Sequence, residues 1–507
     1  MYPLVTVVQA SYTSDFQASL LAGILFHSQV AMPEVEIERS MGHTICRLCL
    51  SWSGFIVGLT ASLVTYRLFL HRCRKFPGPG LAKLTRFHAA YLNAQEEQFY
   101  EKLGAMHERY GDFVRVGPRE VSILNPAAIP VLYGPKTQCT RSTFYTFSGD
   151  RDDITNLNGV RDPANCRPRR RAWDRGMSTK GMHQRNALCM QPRIKSQVDE
   201  LVKQLVSRQG QSIDVTKWSL FYSFDTMGSV GFRKDFGNMI LGQEHPALQQ
   251  MHEHLWMLGV LQAIPWLPNL LSGLPEADRS IKGFHDLHNN ILTEKQKSYD
   301  DNTEPADVVS WLLKAFYEKD ASASPTTLSL ADDNRAFIVA GNDTTANTLA
   351  NARLYLAKHQ DIHQKLRSQL DAALSEDYSS WDYGKVMSVS YIDDIVNETL
   401  RLKPPVIQGL PRETPPQGVY IAGTYVPGHV IASVRIILIQ RDPRWWRDPN
   451  KFIPERFGEK REEMGTDDSP WIPFQLENGE KFDGDFLASF MMVLRPLNLV
   501  FTSRSAT

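Results

Sequence analysis

The stretch Ala340-Gly341-Asn342-Asp343-Thr344-Thr345 decides the fold, because it interrupts the strongest helical pattern in the chain. Apolar residues run from Ala336 to Ala340 and resume at helical spacing from Ala346 to Leu356. This wide apolar character predicts a buried helix over 330–358, roughly 44 Å long at about 1.5 Å per residue. A helix of this length can cross a whole domain.

The middle of this helix is unfavourable for regular helical structure. Gly341 costs about 1 kcal/mol relative to alanine, and the hydroxyls of Thr344 and Thr345 can bond back to carbonyls one turn earlier, which bends a helix. An acid beside an alcohol at a buried bend suits proton delivery, with Asp343 supplying protons and Thr344 holding a hydroxyl near the reacting atom. The segment alone leaves open the alternative of a polar kink without chemistry.

The composition is that of a large globular protein. The chain has 507 residues, of which 42% are hydrophobic, so it can bury a large core. Lys+Arg and Asp+Glu are equal at 56 each, so no broad basic surface points to nucleic acid. The cysteines suggest no disulfide framework, which fits a domain in reducing cytosol. They are Cys46, Cys49, Cys73, Cys139, Cys166 and Cys189, and none follows Cys189.

The N-terminal region predicts a membrane anchor. Residues 1–47 form a tail, and 48–66 contains 19 residues without a charge, the minimum for a spanning helix. Basic residues follow at once and mark the cytoplasmic end, so we expect a single-pass protein whose large domain faces the cytosol. The alternative for 48–66 is a buried core helix. The remaining predicted segments are a basic, proline-rich hinge at 67–80, one large domain at 81–476 and a divergent segment at 477–507.

Other motifs follow along the chain. Arg167–Arg175 is an arginine-rich cluster that is typical of a solvated face, or that could clamp an anionic group. Glu398 and Arg401, three residues apart on a predicted helix, share a face and can form an ion pair. Pro454-Glu455-Arg456-Phe457 lies in a meandering loop that follows short strands.

In order and spacing these motifs resemble a membrane-anchored cytochrome P450 of the fungal microsomal type. The resemblance implies a mainly α fold with a small β region, preceded by the transmembrane helix. It also implies a haem b monooxygenase in the endoplasmic reticulum membrane that takes electrons from NADPH-cytochrome P450 reductase. Its substrate would be an apolar small molecule, and the fungal character suggests secondary-metabolite biosynthesis.

The resemblance also assigns roles to residues. Asp343 and Thr344 would relay protons on the oxygen-binding side of the haem, and the flanking residues of the same stretch would lie over the haem. Two arginines would hold the haem propionates, and three charged residues would form a buried triad that fixes the loops under the haem. The residues over the haem would be Ala340, Gly341 and Thr345. The arginines at the propionates would be Arg170 and Arg412. The triad would consist of Glu398, Arg401 and Arg456. At Cys166 the family often has histidine or tryptophan, so we expect that propionate contact to be lost. The aromatic loop at 137–160 would shape the substrate pocket.

The resemblance fails where the family places its axial cysteine. Pro473-Phe474 enters the ligand loop correctly, but Glu477 stands where a glycine belongs. Counting forward puts Lys481 at the cysteine position and counting back from Gly484 puts Phe482 there, and neither side chain is a thiolate. We therefore expect no metal ligand, an incomplete C-terminal end of the fold and an inactive protein as written. The explanations are a gene-model error, a retained intron or a damaged gene. The alternative function is a membrane-anchored pseudoenzyme that binds a ligand without turnover.

Overall fold

The computed structural model describes residues 41–96, 99–148, 151–177, 184–246, 248–250, 264, 266–271, 275–374, 381, 383–407, 409–472 and 496–502. The predicted tail up to residue 40 lies outside these residues. So does most of the divergent segment, including both candidate ligand positions, Lys481 and Phe482.

The fold is mainly α with a small β region, as the sequence predicted. In chain order the helices are α1 (Met41–Thr65), α2 (Gly80–Leu84), α3 (Phe87–Glu96), α4 (Phe99–Tyr110), α5 (Ala128–Tyr133), α6 (Pro163–Met177), α7 (Gln184–Val206), α8 (Val215–Phe232), α9 (Asn238–Leu241), α10 (Trp266–Leu271), α11 (Pro275–Lys297), α12 (Val308–Tyr317), α13 (Thr327–Lys358), α14 (Gln360–Leu374), α15 (Tyr383–Met387), α16 (Tyr391–Leu402) and α17 (Ile436–Ile439).

The strands form three small sheets. They are β1 (Phe113–Gly117), β2 (Glu120–Ile123), β3 (Thr140–Arg141), β4 (Ser212–Asp214), β5 (Arg412–Glu413), β6 (Val419–Ile421), β7 (Thr424–Val426), β8 (Ile431–Val434) and β9 (Asn498–Val500). The larger sheet has the order β1-β2-β8-β5-β3, in which β2 and β8 are parallel and the other pairs are antiparallel. The other two sheets are the pairs β4-β9 and β6-β7.

Helix α13 is the predicted central helix, and it has 32 residues. It begins at Thr327, three residues before the predicted start, because the Thr326 side chain caps it by accepting a hydrogen bond from Ser329 N. Its main packing partner is α8. The two helices approach so closely that a Cβ on Gly231 would lie 2.1 Å from the Phe337 ring. This interface places the N-terminal half of α13, from Leu330 to Val339, inside the apolar cluster that also contains α8.

The candidate membrane-anchor helix is longer than predicted. After α1 the chain continues as a π-helix over Tyr66–Leu70. Among the described residues, the span long and apolar enough to cross a membrane is Leu48–Leu70, and none of it is buried in the protein. Arg67 joins this end of the anchor to the domain, because its guanidinium donates to Leu84 O and its carbonyl accepts from Arg115 at 3.1 Å.

The proline-glycine segment packs directly against β1. Phe76 is buried in the core cluster of the larger sheet, and Arg115 N donates to Pro77 O at 2.7 Å. Backbone comes so close that a Cβ on Gly78 would lie 2.2 Å from Arg115 O. The chain therefore needs glycine at position 78 for close backbone approach, and the C-terminal part of the predicted hinge is packed on the domain.

Gly78→Ala should lower the free energy of unfolding by about 1–3 kcal/mol, because the new methyl group must displace the backbone of β1. The matched control is Gly80→Ala, since a Cβ there meets nothing within 4 Å. Denaturant unfolding of the detergent-solubilised protein measures both variants. Equal stability of the two variants would contradict the close approach.

Candidate functional site

The middle of α13 buries an acid next to an alcohol. Asp343 and Thr344 are each 7% exposed, and Thr344 Oγ1 donates to Ala340 O at 2.9 Å. This is the back-bond to the preceding turn that the sequence suggested. The neighbouring Thr345 differs, because its side chain is exposed. All six residues of the stretch remain within one α-helix.

Two further polar residues support this stretch, and the sequence analysis did not identify them. Ser223 on α8 donates to Asn342 O at 2.6 Å and lies 3.3 Å from Gly341 O. Asn342 is fully buried and donates from Nδ2 to Asp343 Oδ1 at 2.9 Å. The Asp343 carboxylate is therefore held by its own neighbour. The sequence of α8 gave no signal for Ser223, because the helix also carries Ser219 and Ser229 and the partner of Ser223 lies 119 positions away.

Glu398, Arg401 and Arg456 meet in a charge cluster without solvent exposure. Arg401 Nε and Nη2 donate to the two Glu398 oxygens at 2.7 and 2.9 Å, a bidentate pair. Arg456 Nε donates to Glu398 Oε1 at 3.0 Å. All three side chains are 0% exposed, and burial lowers the pKa of Arg456. The structure thus brings the three predicted triad residues together.

The two arginines use their remaining donors on the backbone of one loop. Arg401 donates to the carbonyls of Gln440 and Pro449, both at 2.7 Å. Arg456 donates to Arg447 O at 2.8 Å and to Asp448 O at 3.1 Å. The Trp446 ring lies 5.0 and 5.8 Å from the two guanidinium carbons. The cluster therefore holds the whole 440–456 loop against α16.

Charged and polar side chains outside the triad also contact this loop. Glu455 accepts hydrogen bonds from Lys365 at 3.0 Å and from Tyr391 at 2.6 Å. The pKa of Asp394 is raised to about 6 by burial and then by the nearby carboxylates Asp393 and Glu455. Glu455 thus attaches the loop to α14 through Lys365 and to α16 through Tyr391.

The two predicted propionate-binding arginines lie on different elements. Arg412, on β5, is 5% exposed, and its guanidinium carbon is 5.9 Å from the centre of the Tyr133 ring. Arg170, on α6, is partly exposed and donates to Asp174 at 3.2 Å, one turn further along the helix. Cys166 Sγ accepts from Arg141 at 3.3 Å, and Arg141 is paired with Arg412 across β3 and β5.

The arginine-rich cluster is wholly helical and is only partly a solvated face, which corrects the favoured interpretation. Arg169 is 5% exposed and donates to Asp333 Oδ2 at 2.8 Å and to Ser329 Oγ at 2.7 Å. It therefore binds an anionic group of the protein itself. The sequence alone did not show which way Arg169 points. Pro168 lies inside α6, and a proline normally indicates a helix end, so the face that carries Arg169 could not be assigned.

The residues fit a haem on one side only. The buried Asp343–Thr344 pair suits the oxygen-binding side of a haem. The buried Arg412 suits a haem propionate, because a guanidinium pairs well with a carboxylate. The axial donor does not fit, since the sequence has no cysteine after Cys189 and no histidine or tyrosine after His429. Burial raises the pKa of the Cys73 thiol to about 11 and also raises that of Cys139, which opposes thiolate formation.

Comparisons with known proteins agree with the geometry. A family model described as cytochrome P450 matches residues 77–475. A cytochrome P450 monooxygenase of Eupenicillium brefeldianum is 36% identical over 421 residues, which cover 83% of this chain and 82% of the relative. Another from Fusarium pseudograminearum is 32% identical, covering 83% and 74%. Tryprostatin B 6-hydroxylase of Aspergillus fumigatus is 28% identical, covering 86% and 76%.

Arg456→Met should lower the free energy of unfolding by about 3–5 kcal/mol, because Glu398 Oε1 and the carbonyls of Arg447 and Asp448 lose the hydrogen bonds that the guanidinium donates. Arg461→Met is the matched control, since that side chain is half exposed and pairs with Asp467 at the surface. Its loss should cost less than about 1 kcal/mol. Denaturant unfolding compares the two, and a small effect of Arg456→Met would contradict the role of the triad.

Proposed function

Because the chain belongs to the cytochrome P450 family, we propose that its ligand-complete form inserts oxygen into an apolar small molecule. The family is one of haem-containing monooxygenases, so the chain is an enzyme of that class and its cofactor is haem. When bound through a thiolate, haem supplies oxygen activation, since the thiolate pushes electron density toward the iron. The observation that carries the proposal is the buried Asp343–Thr344 pair on α13.

In this proposal the two residues deliver protons and keep bulk water out. The Thr344 hydroxyl donates its hydrogen bond to Ala340 O. Its oxygen lone pairs therefore face away from that carbonyl and can accept a hydrogen bond from a proton donor nearby. The Asn342 amide holds the Asp343 carboxyl group in one orientation. Burial of both side chains limits proton transfer to this local route. Ala340 leaves room beside the pair because it has no side-chain atom beyond Cβ, whereas a Cβ on Gly341 would lie 3.3 Å from the Met227 side chain of α8.

Arg412 and Arg170 are the proposed partners of the haem propionates. Arg412 is the stronger candidate, since it is buried, whereas Arg170 is partly exposed and contacts Asp174. For Arg170 to bind a propionate, its guanidinium would turn away from Asp174. The triad of Glu398, Arg401 and Arg456 would hold the loops on the opposite side of the haem.

The relatives support the finer parts of the proposal. They are fungal monooxygenases, and one is named for the 6-hydroxylation of tryprostatin B. We therefore propose a role in fungal secondary metabolism. The apolar helix Leu48–Leu70 supports a single-pass protein of the endoplasmic reticulum with its domain in the cytosol. NADPH-cytochrome P450 reductase is the proposed electron donor.

The missing axial cysteine supports a second candidate function. As written, the chain would be a membrane-anchored pseudoenzyme that binds an apolar ligand without turnover. The intact Asp343–Thr344 pair and the intact triad favour descent from an active enzyme. Sequencing of spliced transcript across the codons for 474–484 distinguishes a faulty gene model from a real loss, and an unchanged reading frame supports the pseudoenzyme.

The reduced carbon monoxide difference spectrum tests the ligand assignment. The present chain should lack the long-wavelength band of thiolate-ligated haem. A chain with the family's ligand-loop pattern restored, carrying either Lys481→Cys or Phe482→Cys, should show the band for one of the two. Ser489→Cys, introduced into the same ligand-restored chain without either of the other cysteines, is the matched control and should not show the band. A band from the present chain would contradict the missing ligand, and haem binding without the band in both cysteine variants would contradict the alignment.

Thr344→Val in the ligand-restored form should raise hydrogen peroxide release per NADPH about tenfold or more, because the hydroxyl next to the reacting atom is lost. Thr348→Val is the control, since Thr348 makes the same back-bond one turn later, to Thr344 O at 2.8 Å. Peroxide and NADPH are measured together with added reductase. An equal effect of both variants would show that the helix, rather than the Thr344 hydroxyl, is responsible.

A further inference from the structure

The segment 152–160 has no regular secondary structure, and its residues are either buried or only partly exposed. Thr155 is 1% exposed and Asn156 is 7% exposed. A buried loop must find partners for its backbone polar groups. We infer that Asp332 and Asp333, adjacent residues on α13, are positioning residues that clamp this segment to the central helix and fix one wall of the substrate site. Only the part of the inference that places this wall against substrate rests on the proposed function.

Asp332 holds the segment at Asn156. Its Oδ2 accepts from the backbone N and from the side-chain Nδ2 of Asn156, both at 2.7 Å. Its Oδ1 accepts from Arg335 Nε and Nη2, at 3.2 and 2.8 Å. One carboxylate therefore joins the loop to an arginine on its own helix, and both of its oxygens are used.

Asp333 holds the next residue of the segment. Its Oδ1 accepts from Leu157 N at 2.7 Å. Its Oδ2 accepts from Arg169 Nη2 at 2.8 Å and from Ser324 Oγ at 2.6 Å. Asp333 is 1% exposed, and Arg169 supplies the opposing charge. Two consecutive carboxylates thus bind two consecutive backbone amides of the loop.

Hydroxyl groups at the start of α13 continue the same contact. Thr326 Oγ1 donates to Asp153 O at 2.5 Å, and Ser329 Oγ donates to Thr155 O at 2.9 Å. Carboxylates therefore bind the N–H groups of the segment, while hydroxyls bind its carbonyls. Residues 153–157 of the segment are thus paired with a single helix and its N-cap residue.

Arginines from outside α13 complete the attachment. Arg169 donates to Asp152 O at 3.2 Å. Arg141 donates to the carbonyls of Leu157 and Val160 at 2.9 and 2.6 Å. Arg141 also lies 5.9 Å from the centre of the Tyr145 ring, so the clamped segment and the aromatic residues 144–145 are attached to one side chain. A change in the clamp would therefore be transmitted to the aromatic part of the proposed substrate wall.

The pairing of charges indicates that the clamp is permanently closed. Each carboxylate faces one arginine, and Asp332 also lies near His285, which in turn lies near Asp286. Buried carboxylates with full hydrogen-bonding are costly to disrupt, because removal of one partner leaves an uncompensated charge. We therefore expect substrate to enter by a route other than displacement of residues 152–160.

Hydrogen–deuterium exchange of the full detergent-solubilised chain tests the clamp without haem or substrate. In Asp332→Ala the amide of Asn156 should exchange about tenfold faster or more. The amide of Leu157 should change by a smaller factor, because Asp333 still accepts from it. Amides of 336–350 should change less than about twofold. Asp332→Asn keeps one acceptor oxygen and should restore most of the protection. Trypsin cleavage after the exposed Arg151 should follow the same order.

Asp361→Asn is the matched control, because this acid is exposed on the adjacent helix α14. Unchanged exchange at 156–157 in Asp332→Ala, or faster exchange throughout the chain, would overturn the clamp. These results would leave the monooxygenase proposal intact. Conversely, failure of the carbon monoxide spectrum would overturn that proposal and leave the clamp untouched.

Discussion

The buried contact of one carboxylate with two arginines organises the loop between residues 440 and 456. Glu398 has no solvent exposure, and its two oxygens are shared by Arg401 and Arg456. Charges in such a site are stable only when every donor finds an acceptor. The extra donors therefore take up backbone carbonyls between 440 and 451, and a loop without strands acquires a defined path. This satisfies the charges and orders the loop through the same bonds.

The buried polar groups of the central helix α13 also find hydrogen-bonding partners on other segments. It is unusually polar for a buried helix, and its polar side chains contact neighbours that are remote in sequence. Asp332 and Asp333 bind a loop 176 positions earlier, and the Asn342 carbonyl accepts from Ser223 on α8. Since an unsatisfied buried polar group is expensive, these contacts restrict how neighbouring segments can pack. The polar residues of α13 thus specify position, while its apolar residues provide most of the burial.

The described contacts of the Asp343–Thr344 pair and of the charge triad are made among residues before 460. These hydrogen bonds do not themselves require a cysteine in the later segment. A chain that lacks the ligand can retain the rest of the site, which is why the two proposed functions differ in chemistry and not in architecture.

Local sequence patterns determined the long central helix, the apolar helix that follows residue 47 and the spacing of Glu398 with Arg401, because these features depend on neighbours within a few residues. The resemblance added Arg456 and the haem. The tertiary structure alone decided that Arg169 points inward, that Gly78 must lack a side chain, and that Asp332 and Asp333 bind a distant loop. Those facts depend on which segments meet in space, and hydrogen bonds between residues more than a hundred positions apart leave no periodic signal in the chain.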